Sequence, residues 1–280
     1  MEILNLQGIT LEGFAEGGIR TSIGVPEIGA IFDAGTPIPT CLRYDNIFIT
    51  HGHSDHIGCL VPIIARRSLQ SLPPANVYVP EVIKNDLEII FESWWRINGG
   101  KGPKFPVKIH GKKVGDTIDL GRGIKVIGVQ TFHRVPSVGW SVERTTKRLR
   151  SEFIGLPGNE IGKLKRNGVE ITFPNTEIIL TVPGDTSINF LIEEGRARKS
   201  KVLVHEVTYW DDIESTSEKC KQYGHTHFRD MIEHCEKFEG EHLVLCHRSM
   251  KFSRSFVESQ VKKHFPKDIQ DKIKIFDGKN

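Results

Sequence analysis

The chain has no run of about 18 or more apolar residues, so no segment is long enough to cross a membrane as a helix. It has no CxxC pair either. Its five cysteines, Cys41, Cys59, Cys220, Cys235 and Cys246, are odd in number, which argues against a disulfide framework and a structural zinc ribbon. They read as reduced, mostly buried thiols. The opening MEILNLQGIT lacks the basic start and long apolar stretch of a secretory leader, so a cytoplasmic location is expected. Repeats, low-complexity tracts and dividing linkers are also missing, which predicts one domain over residues 1–280. Nor is there a large charge of one sign. The formal net charge of +3 is compatible with a phosphate-bearing substrate and is too small to define one.

What remains is an ordinary globular composition, 38% hydrophobic and 26% charged, with alternating strand-like and helix-like segments. Strands are predicted at 30–33, 46–50, 76–79, 124–131, 138–142, 177–182, 201–206 and 242–247. Helices are predicted at 55–67, 80–97, 226–238 and 253–264. This alternation predicts an α/β fold. His51, His133, Asp185, Glu206 and His247 each fall at or just past the C-terminal end of a predicted strand, where α/β proteins gather their ligand-binding groups.

The densest chemistry is HGHSDH, residues 51–56. It follows a predicted strand and opens a predicted helix. Alternation places His51 and His53 on one side of a turn, while Asp55 and His56 project from the first helical turn. Imidazole and carboxylate groups so spaced suit two zinc ions a few Å apart. Gly52 and Ser54 are expected to let the backbone fold tightly there. A lone histidine is usually a turn or core residue, but three histidines and an aspartate in six residues point to metal. His133 in TFHRVPS, Asp185 in PGDTS and His247 in LCHRS are candidates to complete the cluster. Asp185 has two oxygens with which to bridge.

ITHGHSDHIG, TFHRVPSVGW, EFIGLPGNEIGKLKRNGVEI, PGDTS, HEVTYWDD, YGHTH and LVLCHRS together resemble the metallo-β-lactamase superfamily. Within it they resemble the short form of tRNase Z, the tRNA 3′-processing endonuclease, and most of all its plant-type members. The resemblance runs over nearly the whole chain. It implies an αββα sandwich of two mixed β-sheets flanked by helices, and two Zn2+ per subunit. One zinc would be held by His51, His53, His133 and Asp185, the other by Asp55, His56, Asp185 and His247. His225 of GHTH would be the catalytic histidine and Glu206 of HEVT its acidic partner. Asp33 matches, more loosely, a carboxylate just outside the ligands. Asp55 would also take the nucleophile's proton. The products would be a tRNA 3′-hydroxyl and a trailer 5′-phosphate.

Between residues 144 and 166 lie Arg144, Lys147, Arg148, Arg150, Lys163, Lys165 and Arg166, against Glu152 and Glu160. The resemblance makes the stretch at about 144–168 a shortened substrate-binding arm, with Lys147, Arg148, Arg150, Lys163, Lys165 and Arg166 contacting RNA phosphates. The bacterial N-terminal loop with its Pro and Arg-Asn pair is absent, and 21–29 stands in its place. The familiar HST triplet reads His225-Thr226-His227. Relatives in the superfamily, phage enzymes that dismantle immune signals among them, hydrolyse 3′,5′-cyclic nucleotides, which is the alternative reading. For it, Trp140, Phe153, Tyr209 and Trp210 are candidate base-stacking residues, with core packing the commoner fate of such aromatics. A non-enzymatic zinc or RNA binder would not need Asp55, Glu206 and His225 together. FESWWRI at 91–97 reads as core or dimer contact, since short relatives form homodimers. His205 is expected to point away from the site by strand alternation. His227 is expected to lie just outside the ligands or to start a helix.

Overall fold

Parallel strands covered on both faces need apolar side chains at successive positions, and KVLVHE and HLVLCH supply them. The computed structural model describes residues 1–213 and 215–278. Its strands are β1 (Glu2–Leu6), β2 (Ile9–Gly17), β3 (Arg20–Val25), β4 (Ala30–Phe32), β5 (Asn46–Phe48), β6 (Ala75–Pro80), β7 (Val107–Lys112), β8 (Thr117–Gly121), β9 (Ile124–Val129), β10 (Gly139–Leu149), β11 (Thr172–Val182), β12 (Val202–Glu206), β13 (His242–Cys246), β14 (Arg248–Ser249) and β15 (Ile273–Ile275). The helices are α1 (Ser54–Ile57), α2 (Leu60–Leu69), α3 (Lys84–Ile97), α4 (Gly158–Arg166), α5 (Asn189–Glu193), α6 (Gly195–Lys199), α7 (Ser217–Tyr223), α8 (Phe228–His234), α9 (Arg254–His264) and α10 (Lys267–Gln270).

One sheet runs β1 to β7 in order, with β14 beside β2. The other runs β15-β13-β12-β11-β10-β9-β8. Both are mixed: β1–β4 and β8–β11 pair antiparallel, whereas β4–β7 and β11-β12-β13-β15 pair parallel. Strand alternation divides the apolar groups between layers. Phe48, Val204 and Val244 enter the core between the sheets, with Trp140 and Phe276. Ile47 packs outward with α2 and α3, and Leu203, Leu243 and Leu245 with α8 and α9. Each such side chain contributes about 1.5–3 kcal/mol on burial. The result is the αββα sandwich. Cys41, Cys220 and Cys235 are buried free thiols, as expected.

Several boundaries differ from expectation. The first predicted helix is broken at Gly58-Cys59, because the Cys59 N–H donates to Ala34 O (2.8 Å) instead of continuing α1. Strands 138–142 and 177–182 are longer than their apolar stretches. They extend as β10 and β11 into an exposed hairpin with paired register from Trp140↔Val182 to Leu149↔Thr172. β1, β2 and β3 went unread, because β2 buries Glu12 and Glu16 in place of apolar residues. Tyr44 donates to the Glu12 carboxylate at 2.5 Å, which makes that burial tolerable.

Where β5 ends, the two sheets are stitched together. Thr50 O accepts from Val138 N–H (2.9 Å) and Ile49 O accepts from the Trp140 indole (3.2 Å). His51 pairs with Ser137 across the same junction. The HGHSDH loop therefore opens at the rim where both sheets end.

Candidate functional site

Four segments deliver the predicted ligands to this rim. His51 Nε2 lies 3.0 Å from His53 Nδ1, which lies 3.4 Å from His133 Nε2. Asp185 Oδ2 is 3.7 Å from His51 Nε2. On the other side, His56 Nε2 and His247 Nε2 are 3.2 Å apart, and Asp55 Oδ2 is 3.3 Å from His247 Nε2. Asp185 Oδ1 stands 3.2 Å from both His56 Nε2 and His247 Nε2. Its two oxygens thus face the two groups, His51/His53/His133 and Asp55/His56/His247.

The spacing suits ions. Ligand atoms about 2.1 Å from a tetrahedral zinc stand about 3.4 Å apart. Asp185 is buried, yet its Oδ1 accepts no hydrogen bond from any described residue. A buried carboxylate oxygen left without a donor is costly unless a cation completes it. All seven predicted ligands therefore come together, and the donor set of imidazoles and carboxylates fits zinc.

The groups behind the ligands fix their orientation. His56 Nδ1–H donates to Asp33 Oδ2 (2.7 Å) and His133 Nδ1–H to Gly224 O (2.9 Å), so both rings turn Nε2 into the cluster. Asp33 also accepts from Thr50 N–H (2.8 Å). Gly184 and Gly224 have positive φ, +72° and +73°. A Cβ on Gly184 would meet Thr50 Oγ1 at 2.4 Å, and one on Gly224 would meet His133 Cα at 2.6 Å. Gly52 is different: a Cβ there meets nothing within 4 Å, so the expected steric need for glycine at that position does not hold. Arg248, next to His247, donates to Asp277 Oδ2 through Nε (2.8 Å) and Nη2 (2.6 Å) and pins that loop to the C-terminal segment.

Burial lowers the proton affinity of His51, His53 and His133, leaving neutral rings suited to metal. Burial acts the same way on His56, but the Asp185 and Asp33 charges outweigh it and push its pKa well up. Asp55 is held well below the usual carboxylate range. Burial opposes this, and the His247 hydrogen bond with the His56 and His247 charges overcomes it.

Beside the cluster, His225 Nδ1–H donates to Glu206 Oε1 at 2.8 Å. Burial disfavours protonated His225, but the Glu206 charge and hydrogen bond raise its pKa to about 9. Thr208 was not singled out in the sequence, although it sits in the quoted HEVT. Its hydroxyl donates to Glu206 Oε2 (2.7 Å) and lies 3.3 Å from His247 Nδ1, linking the acid pair to a ligand. Gly18 N–H donates to Asp55 Oδ2 (2.9 Å). Nothing in a β2–β3 turn signals that contact in advance. His205 faces the outer core, with its ring centroid 6.0 Å from Phe190, and His227 caps α8, as alternation and helix chemistry predict.

A cleft of about 400 Å³ opens over the cluster, lined by His53, Asp55, Arg134, Asp185, Tyr209 and His225 among others. Trp140 and Trp210 are fully buried, so neither is available to a base; their indoles donate to Ile49 O and Val207 O instead. Phe153 lies on the distant hairpin tip, and Tyr209 alone of the four lines the cleft. No arm residue lines it. The arm consists of the β10–β11 hairpin capped by α4. Arg148 pairs with Glu177 (2.7 Å) and Arg150 with Glu170 (2.7 Å), acids that lie beyond the basic stretch in sequence. Lys147, Lys163, Lys165 and Arg166 are exposed, with no ion pair within 4.0 Å among the described residues.

No family model matches the chain. It is 35% identical over 260 residues to the tRNase Z TRZ1 of Arabidopsis thaliana, covering 92% of this chain and 91% of that one. The chain belongs to the tRNase Z family. It is also 32% identical to the chloroplastic tRNase Z TRZ2 of the same plant, over 89% of this chain and 70% of the relative. Two solved structures share the metallo-β-lactamase fold with this tRNase Z family member. The human short-form tRNase Z has a TM-score of 0.62 at 18% identity, covering 96% of each chain. The YhfI protein of Bacillus subtilis has a TM-score of 0.62 at 13% identity, covering 97% of each.

Proposed function

We propose that the chain is a metal-dependent endoribonuclease that removes the 3′ trailer of precursor tRNA, with two Zn2+ per subunit. The single observation that carries the reading is the position of Asp185. It lies between two groups of ligand atoms, with the Glu206–His225 pair beside them, in a chain whose curated relatives are named tRNase Z. Those names also favour RNA over a cyclic nucleotide.

His51, His53, His133 and Asp185 would hold one ion, and Asp55, His56, Asp185 and His247 the other. Divalent cations there would supply Lewis acidity toward a phosphodiester and make water easier to deprotonate. Asp55, held ionised, would take the proton of the attacking water. His225 is protonated at neutral pH and offers Nε2–H to the departing 3′-oxygen, while Glu206 fixes its ring through Nδ1. The reading includes one domain with a basic arm at about 144–168 whose unpaired Lys147, Lys163, Lys165 and Arg166 meet RNA phosphates. Arg148 and Arg150 meet them only by leaving Glu177 and Glu170.

A cytoplasmic homodimer belongs to the same reading. The exposed Ile90, Trp94 and Ile97 form one stripe on α3 that suits a second copy, and among the described residues no helix is long and apolar enough to cross a membrane.

Purified protein given precursor tRNA and, separately, 3′,5′-cyclic nucleotides tests the function. Cleavage at the discriminator is expected. Cyclic-nucleotide turnover with the precursor untouched would overturn it.

A further inference from the structure

One cation on the cleft wall has no part in that scheme. Arg134 follows the ligand His133 directly and lines the cleft with Asp55, Asp185 and His225. It is exposed, and it forms no ion pair within 4.0 Å with any described residue, although the cleft contains two carboxylates. Its guanidinium instead lies over the Tyr223 ring, 5.7 Å from the centroid. Such stacking holds a guanidinium in place without neutralising it.

The backbone beneath it is fixed on both sides. The His133 ring is bonded to Gly224 O at 2.9 Å, Ser137 Oγ lies 2.7 Å from Thr131 Oγ1, and Val138 N–H donates to Thr50 O at 2.9 Å. A rigid base, a flat stacked head and an unused charge at the mouth of an anion-handling cleft form a receptor for a phosphate.

Resting on the RNA reading above, we propose that Arg134 is a substrate-contact residue. It grips a backbone phosphate neighbouring the scissile one, with Tyr223 beneath it as a positioning residue. The rim placement separates it from the scissile phosphate, which belongs over Asp185 at the floor.

The test compares Arg134→Ala and Arg134→Lys with the unaltered protein, using precursor tRNA over a salt series and bis(4-nitrophenyl) phosphate. For the alanine variant, KM for precursor should rise about tenfold or more and kcat should change little. The log–log salt slope should become shallower by about 0.7, the loss of one phosphate contact on a single strand. Turnover of the small diester should stay within about twofold, since it has no neighbouring phosphate. Lysine should restore the slope while KM stays raised, because the charge returns without the fork. Zinc content and melting temperature should match the unaltered protein in both variants. An unchanged precursor KM and slope would overturn the proposal. An equal loss on both substrates would also overturn it, by placing Arg134 on the scissile phosphate. Failure of the unaltered protein to cut precursor would instead sink the RNA reading itself.

Discussion

The zinc-type cluster and the basic arm place their polar groups in opposite environments. In the cluster, polar groups drawn largely out of water are held by fixed partners: Asp33 by Thr50 and His56, His225 by Glu206, His133 by Gly224. In the arm, α4 has no buried residue, and its charges stand in water or in surface pairs. Exposed pairs are worth about 0–1 kcal/mol, whereas leaving a buried partner unmatched costs several. A change in the cluster should therefore act on every substrate. A change in the arm should act only on substrates long enough to reach it.

The largest effect expected is from Asp185→Ala. It removes the one residue facing both ligand groups. Zinc content should fall, and turnover of precursor tRNA and of a small diester should both drop below detection, while binding of precursor changes little. Retained turnover would show that the ligand assignment is wrong.

Next is Glu206→Gln, expected to cost about 100-fold or more in kcat with zinc retained. The pH profile sharpens this. A pKa raised to about 9 keeps His225 protonated below that pH, so the acid is lost only as pH rises through about 9. Removing the Glu206 charge removes the main cause of the rise, and the alkaline limb should move to lower pH. An unmoved limb would detach His225 from that role.

The smallest effects belong to the arm. Replacing Lys163, Lys165 and Arg166 with alanine should raise KM for precursor and flatten its log–log salt slope by about two units. Small-diester hydrolysis should be unchanged. Arg148→Ala should do much less, because Glu177 already occupies that charge. Equal effects of the two variants would erase the distinction between paired and unpaired arm cations.

The same contrast explains what could be read in advance. The site residues lie at or just past the ends of strands that carry apolar runs, so VLV and LVLC announced both their strands and the positions of Glu206 and His247. Strand ends likewise carried His133 and Asp185, and the motif spacing in residues 51–56 carried His51, His53, Asp55 and His56. Charge counting along the arm failed, because Glu170 and Glu177 face Arg150 and Arg148 across a hairpin and not along the chain. β2 was hidden for a related reason: buried Glu12 is held by Thr40 and Tyr44, which are distant in sequence. Among the candidate stacking aromatics, Trp140 and Trp210 take the commoner fate of core packing, which tertiary structure alone decides.

Anomalous diffraction at the zinc absorption edge, from crystals of the purified protein, tests the central claim most directly. Two peaks per chain are predicted, one among His51, His53 and His133 and one among Asp55, His56 and His247, with Asp185 between them. Zinc bound elsewhere, or a cluster that stays empty in crystals soaked with zinc, would contradict it.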